Sequence, residues 1–226
     1  MYNFIKRLLP VCVIFALCGC ALGTSITYLD KSYKTDTVTV DLLIPQITGL
    51  KDTDFQDTIN LEIEDTCKEF LNKFKASAEK ISHPSVFTAE TQNYNSGDLL
   101  SLVTQISYYT QKPHNNSYRI TKNINTANSC EVTLSDLFSD SGYIDHINLV
   151  LSEMVTNNPD NYSDLWAKPV LAQDQPFYIK DGNLVIYYPP YELSYYTRGF
   201  VEFPIPLDEL SGYLSEEYRQ MLTKKS

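Results

Sequence analysis

From Val38 to Ile44 every second residue is apolar, so Val38, Val40, Leu42 and Ile44 share one side of an extended chain. A period of two predicts a half-buried strand. Pro45 and the following "TGLKD" are expected to end it, and the polar stretch before it, around Asp30–Asp36, reads as a linker. The period then changes. Phe55, Ile59, Ile63, Cys67, Phe70, Leu71 and Phe74 recur at steps of three and four, the single stripe of an amphipathic helix predicted over residues 53–80. Asp52 or Asp54 is placed to cap its start, and "SHPS" to stop it.

Three segments rich in Val, Ile, Tyr and Thr come next: "SVFTAETQNY", "DLLSLVTQISYYT" and "SYRITKNINT". Their composition and spacing predict antiparallel strands, with a turn at "QKPHNNS". "CEVTLSDLFSD" reads as a short strand entering a turn. A second helix is predicted over 142–156, with Ile144, Ile147, Leu151, Met154 and Val155 on its apolar face and "NNPDN" at its end. Asp181-Gly182 lies between two β-rich runs, a strong hairpin signal. "GFVEFPIP" then alternates into Pro204 and Pro206, as an edge strand does. The last stretch, "LDELSGYLSEEYRQML", gives one or two helical turns and a frayed end. The predicted class is α+β: antiparallel sheets with two main helices packed on them.

Composition changes the picture at the N-terminus. Lys6 and Arg7 precede the uncharged "LLPVCVIFALCG", and no acidic residue appears before Asp30. Positive flank, short apolar run and small residues form the pattern of an export signal. Leu17 and Gly19 before Cys20 resemble a bacterial lipobox, which makes Cys20 the candidate lipidation site. Cys18 is an unusual occupant of that motif. A single spanning anchor is the second reading, since uncharged residues run from Leu8 to Leu29; free secretion is the third. All three place the body of the chain outside the cytoplasm, and either anchor holds it at the cell membrane, facing outside.

Charge then matters. The 18 basic residues less Lys6 and Arg7 leave 16 against 28 acidic ones, a net of −12 for that body. Such a surface repels nucleic acid and attracts basic proteins, with ordinary solubility charge as the plainer reading. Outside the leader only Cys67 and Cys130 remain; an exported protein could join them, while Cys67 on an apolar helix face equally suits a free buried thiol.

Catalytic chemistry finds little material. His83, His114 and His146 are widely separated and none sits in a metal-ligand spacing. GxSxG, a glycine-rich phosphate loop and CxxC are all missing. No catalytic, cofactor or metal site is expected, and the chain reads as a non-enzyme. The remaining feature is "GNLVIYYPPYELSYYTRG" with its five tyrosines. Alternation puts Leu184, Ile186 and Tyr188 on one face of a strand and Val185 and Tyr187 on the other, so this part belongs to the core. Pro189 and Pro190 stop the strand and stiffen the loop after it. That loop, Pro189, Pro190, Tyr191 and Glu192 with Tyr195 and Tyr196 behind, is the candidate ligand surface, since rigid tyrosines are favoured interface anchors. A ring of Tyr191 tucked under the loop is the competing reading.

Three blocks carry a family resemblance. "DLLIPQITGLKDTDFQDTINLEIEDTCKEF", "CEVTLSDLFSDSGYIDHINLVLSEM" and "FYIKDGNLVIYYPPYELSYYTRGFVEFPIPLDEL" succeed one another in an order that resembles the paired extracytoplasmic domains of the anti-sigma-V factor (lysozyme receptor) family. The same domains are appended to peptidoglycan deacetylases. The likeness spans roughly residues 37–211 and divides the chain into an anchor over 1–29, halves over 30–126 and 127–213, and a tail over 214–226. It implies an envelope-anchored binding module for a basic protein ligand such as a lysozyme, with His114 retained from the family's middle hairpin turn. It also implies the sensor head without a cytoplasmic anti-sigma segment. A peptidoglycan- or carbohydrate-binding cell-wall module is the alternative, and a structural lipoprotein the plainest one.

Overall fold

The computed structural model describes residues 23–80, 83–110 and 115–222. The leader with Cys20, and His114 in the middle turn, lie outside the described residues.

The expected strand is β3, Val38–Thr48, and it runs on past Pro45 to Thr48. The supposed linker before it is not one. Ser25–Asp30 forms β1 and Tyr33–Lys34 forms β2, both antiparallel to β3, with Ser25 opposite Thr48 and Tyr33 opposite Val40. Pro45 is tolerated because β3 has already lost its other neighbour at Leu42, so the missing N–H falls beside an open edge.

Helix α1, Thr53–Ala78, carries the expected stripe, and Asp52 caps it by accepting a hydrogen bond from the backbone N–H of Phe55 at 3.0 Å. It is the crossover to β4, Ser85–Ser96, which lies parallel to β3. This parallel pair is the exception in an otherwise antiparallel sheet. β5 (Leu99–Tyr109), β6 (Asn116–Asn125) and β7 (Cys130–Glu131) extend it, giving the order β1-β3-β4-β5-β6-β7 with β2 beside β3.

Period two gives this sheet two unlike faces. Phe87, Ala89, Leu102, Ile106 and Tyr108 point to one side and bury Ile59, Ile63, Cys67, Leu71 and Phe74 of α1. The other side carries Thr88, Glu90 and Gln92 on β4, opposite Ser107, Gln105 and Val103 on β5. It is largely polar.

The second helix, α2, spans Gly142–Asn157. Of the expected face, Ile147 and Leu151 are buried and Met154 and Val155 pack against the same core, whereas Ile144 is exposed and Tyr143 and Val150 are inside. Tyr143 stacks on Phe138 at 4.1 Å, which holds it inward in place of Ile144. One further turn, α3 (Pro159–Tyr162), comes after it. β8 (Phe177–Lys180) and β9 (Asn183–Tyr188) form the expected hairpin, with Asp181 and Gly182 both at positive φ, 50° and 75°. β10, Val201–Pro206, completes a three-stranded sheet in the order β10-β9-β8. Beyond it α4 (Leu207–Leu210) and α5 (Glu216–Leu222) are packed rather than frayed, with Leu210, Tyr218 and Leu222 buried.

As expected from its composition, β9 is buried on both faces. Leu184, Ile186 and Tyr188 join the α2 core, while Val185 and Tyr187 pack with Val103 and Tyr178 between the two sheets. The small sheet therefore lies on the polar face of the large one. The junction is hydrogen-bonded: Ser101 Oγ donates to Asn123 Oδ1 at 2.6 Å and accepts from Ile179 N at 3.0 Å, and Asn123 Nδ2 donates to the Phe177 carbonyl at 3.0 Å. Side chains of β5 and β6 thus satisfy the outer edge of β8.

Cys67 and Cys130 are both free thiols, the first buried against the sheet and the second exposed on β7. Burial, with Glu64 nearby, pushes the Cys67 thiol up to about 11. Because the thiolate is the nucleophile, Cys67 is unreactive in the fold. Alkylation of residues 23–226 with iodoacetamide at pH 8 is expected to label Cys130 alone in the native state and both thiols after unfolding. Equal native labelling of the two would contradict this packing.

Candidate functional site

Two prolines end β9 and set the geometry of the loop beyond it. Glu192 N donates to the Pro189 carbonyl at 3.2 Å, closing a four-residue turn with Pro190 and Tyr191 at its centre. Tyr191 has φ +72°, the backbone region a type II turn requires at that position and glycine normally fills. For a tyrosine this conformation costs about 1 kcal/mol. Its ring is 56% exposed, so the reading in which it tucks beneath the loop is not realised.

The rest of the loop is clamped to residues 161–170. Ser194 is buried and donates to Asp164 Oδ2 at 2.8 Å. Arg198 Nη1 meets Asp164 Oδ1 at 2.5 Å, and its Nη2 donates to the Asn161 carbonyl at 2.5 Å. The Trp166 backbone N–H donates to the Leu193 carbonyl at 3.0 Å, and its indole Nε1 donates to the Glu192 carbonyl at 3.2 Å. At the loop's root the Tyr188 hydroxyl donates to the Val170 carbonyl at 3.0 Å, and burial pushes that phenol up, with Glu192 adding to the effect.

These anchors assemble an aromatic platform. Tyr191 lies against Tyr196 with ring centroids 5.5 Å apart, and Tyr195 meets Trp166 edge-on at 4.9 Å. Trp166 and Tyr195 are 50% and 64% exposed. Of the expected residues, Pro189, Tyr191, Glu192 and Tyr195 are exposed together, and Pro190 is half-buried. Tyr196 alone stands behind, its hydroxyl 3.2 Å from Ser117 Oγ on β6. Tyr195 stands in front. Sequence reasoning missed Trp166, the chain's one tryptophan, because it lies in an irregular segment without periodicity. The signal available was its rarity beside the exposed Val170.

The platform offers apolar area and rigid rings, with the exposed Glu192 carboxylate beside them. His146 is elsewhere, stacked on Tyr213 at 4.6 Å. Among the described residues no group of three or more His, Cys, Asp or Glu side chains could hold a metal ion. No described helix is long and apolar enough to cross a membrane.

Comparison with known proteins agrees with the blocks read from sequence. Residues 31–117 match the family described as "Deacetylase PdaC", and residues 135–208 match DUF3298, a "Protein of unknown function" family. The chain is 29% identical over 212 residues to the anti-sigma-V factor RsiV of Bacillus subtilis (strain 168), an alignment covering 85% of this chain and 71% of that protein. Two solved structures share the fold. A DUF3298 family member from Bacteroides fragilis superposes with a TM-score of 0.63 at 15% identity, covering 91% of this chain and 99% of that one. A DUF3298 protein from Pseudomonas aeruginosa gives 0.58 at 15% identity, covering 87% and 96%.

Proposed function

We propose, from the premise that this chain carries a PdaC-type domain followed by a DUF3298 domain, that it is an extracytoplasmic binding head which captures a basic protein ligand such as a lysozyme. The loop Pro189–Tyr196 with Trp166 is its docking surface, and the N-terminal segment, lipidated at Cys20 or spanning the membrane, is its anchor. One observation carries the reading: Tyr191 keeps its ring in solvent on a strained backbone that glycine would relax. Strain of this kind persists where function selects it. Rigid, half-exposed tyrosine and tryptophan rings lose little entropy on docking. The similarity to an anti-sigma factor supports a sensor or binding role over an enzymatic one.

The acidic surface supplies the steering. A net of −12 draws a basic partner in and speeds encounter more than it tightens the final complex. Residues 23–226, which retain β1, are expected to bind hen lysozyme. Association should slow several-fold between roughly 10 mM and 150 mM salt as the Debye length shortens from about 30 to 8 Å. An absence of binding at low salt overturns the proposal. The exposed Trp166 and Tyr195 faces also suit stacking on sugar rings. Co-sedimentation with insoluble peptidoglycan in the absence of lysozyme would favour that cell-wall reading instead.

A further inference from the structure

The small sheet covers only part of the polar face of the large one and leaves a cleft of about 410 Å³ beside it. Register builds its floor. Glu90 on β4, Gln105 on β5 and Arg119 on β6 stand directly opposite one another in one row across the sheet. Lys180 from the end of β8 and Glu202 from β10 form the facing wall. Both sheets are needed to bring these groups together, and no short motif announces them.

The charges are only partly matched. Arg119 Nη1 pairs with Glu202 Oε1 at 2.5 Å, and its side chain is 11% exposed. Its guanidinium lies over Phe200 at 4.3 Å and Tyr187 at 4.9 Å, which fixes it in place. Arg119 Nε is buried without an acceptor among the described residues, an unmade bond in the cleft wall. Lys180 and Glu90 have no ion-pair partner among the described residues, although both line the same cavity. Gln105 Oε1 accepts from Arg119 Nη2 at 3.4 Å and Gln92 Oε1 accepts from the Tyr94 hydroxyl, and both side chains line the cleft with amide N–H groups as their remaining donors.

We infer that this inter-sheet cleft binds a short peptide with free termini. The unpaired ammonium of Lys180 takes the ligand's carboxylate and the unpaired carboxylate of Glu90 takes its ammonium. The side chains of Gln92 and Gln105, which line the cleft between these charges, then meet the peptide backbone. A cavity of this size sits within the roughly 300–1,000 Å³ of small-ligand sites and accommodates two or three residues. A sugar fits the cleft less well, because the rings that would stack on it are already in use. Tyr178 is sandwiched between Tyr94 at 5.7 Å and Tyr187 at 6.1 Å, and the Lys180 ammonium sits 5.1 Å from the Tyr94 ring centroid.

Titration calorimetry of the full chain with trialanine tests the site. Free trialanine is expected to bind, and trialanine acetylated and amidated at its ends to bind at least about tenfold more weakly, each lost charged contact being worth about that factor. Lys180→Met and Glu90→Gln should each weaken free trialanine by about tenfold, with melting temperature and lysozyme capture unchanged. No heat with free trialanine, equal binding of the blocked peptide, or binding of chitotriose in its place overturns the inference. Capture on the aromatic loop is read separately in the same variants, so failure of the peptide site leaves that reading standing.

Discussion

Tyr191→Ala is expected to weaken capture of a basic protein ligand about 30-fold or more, the loss of roughly 2 kcal/mol typical of a central aromatic anchor. The fold should be untouched, since Tyr191 is more than half exposed and its ring lies against Tyr196, outside the core, at 5.5 Å. Tyr191→Gly sharpens the test. Glycine occupies φ +72° without the steric penalty a tyrosine bears there, so this variant should melt at or above the parent temperature while binding as poorly as the alanine one. A protein stabilised yet unable to bind separates a functional loop from a structural one. Unchanged capture by both variants, measured by biolayer interferometry on immobilised lysozyme, would remove the loop from the interface. Trp166→Ala should weaken capture and loosen the loop together, because its indole also donates to the Glu192 carbonyl and part of the loss is loop order.

Asn123→Leu is the substitution expected to damage the fold most. It strands the Phe177 carbonyl and the Ser101 hydroxyl inside the junction between the sheets, both cut off from water. Two buried groups left unsatisfied cost about 3 kcal/mol together, which lowers the melting temperature by roughly 6–12 °C for a chain of this length. Ser101→Ala loses a donor to Asn123 and an acceptor for Ile179 N, and should behave similarly. The double variant Ser101→Ala/Asn123→Ala should cost clearly less than the sum, since each single change already breaks the shared network. Additive losses by thermal melting would mean that the two side chains act independently.

How much of this was readable in the sequence depended on whether a residue's partner lay nearby in the chain. The stripe from Phe55 to Phe74 and the Asp52 cap are local, and the helix is where they put it. Asp181-Gly182 states its own turn, and the double apolar faces of β9 state its burial. β1 was hidden because Ile26 and Leu29 alone among its residues pack on the core, and its strand partner β3 lies beyond the next loop. On α2 the expected face is realised except at Ile144, whose place inside is taken by Tyr143 packing on Phe138, a contact that helical periodicity does not contain. Tyr218 and Leu222 stand four apart, a pattern legible as a packed helix but lost in the acidic end around Glu216. The platform was half legible. Its prolines and tyrosines are contiguous, whereas Trp166 arrives from a segment held by Asp164 and Arg198 across some thirty residues. The cleft could not be read at all, since alternation marks a polar face but says nothing about which strand crosses it.

The side-chain cover on β8 has a consequence for how the molecule meets copies of itself. Exposed strand edges are templates on which another chain can add and start aggregation. On one flank of the small sheet, Ser101 and Asn123 already occupy β8's outward carbonyl at Phe177 and N–H at Ile179. On the other flank, Pro204 and Pro206 alternate along β10 and have no N–H to offer an incoming strand. Both flanks are blunted against extension. A protein presenting exposed aromatic rings is thus protected from polymerising through the very sheet that carries them.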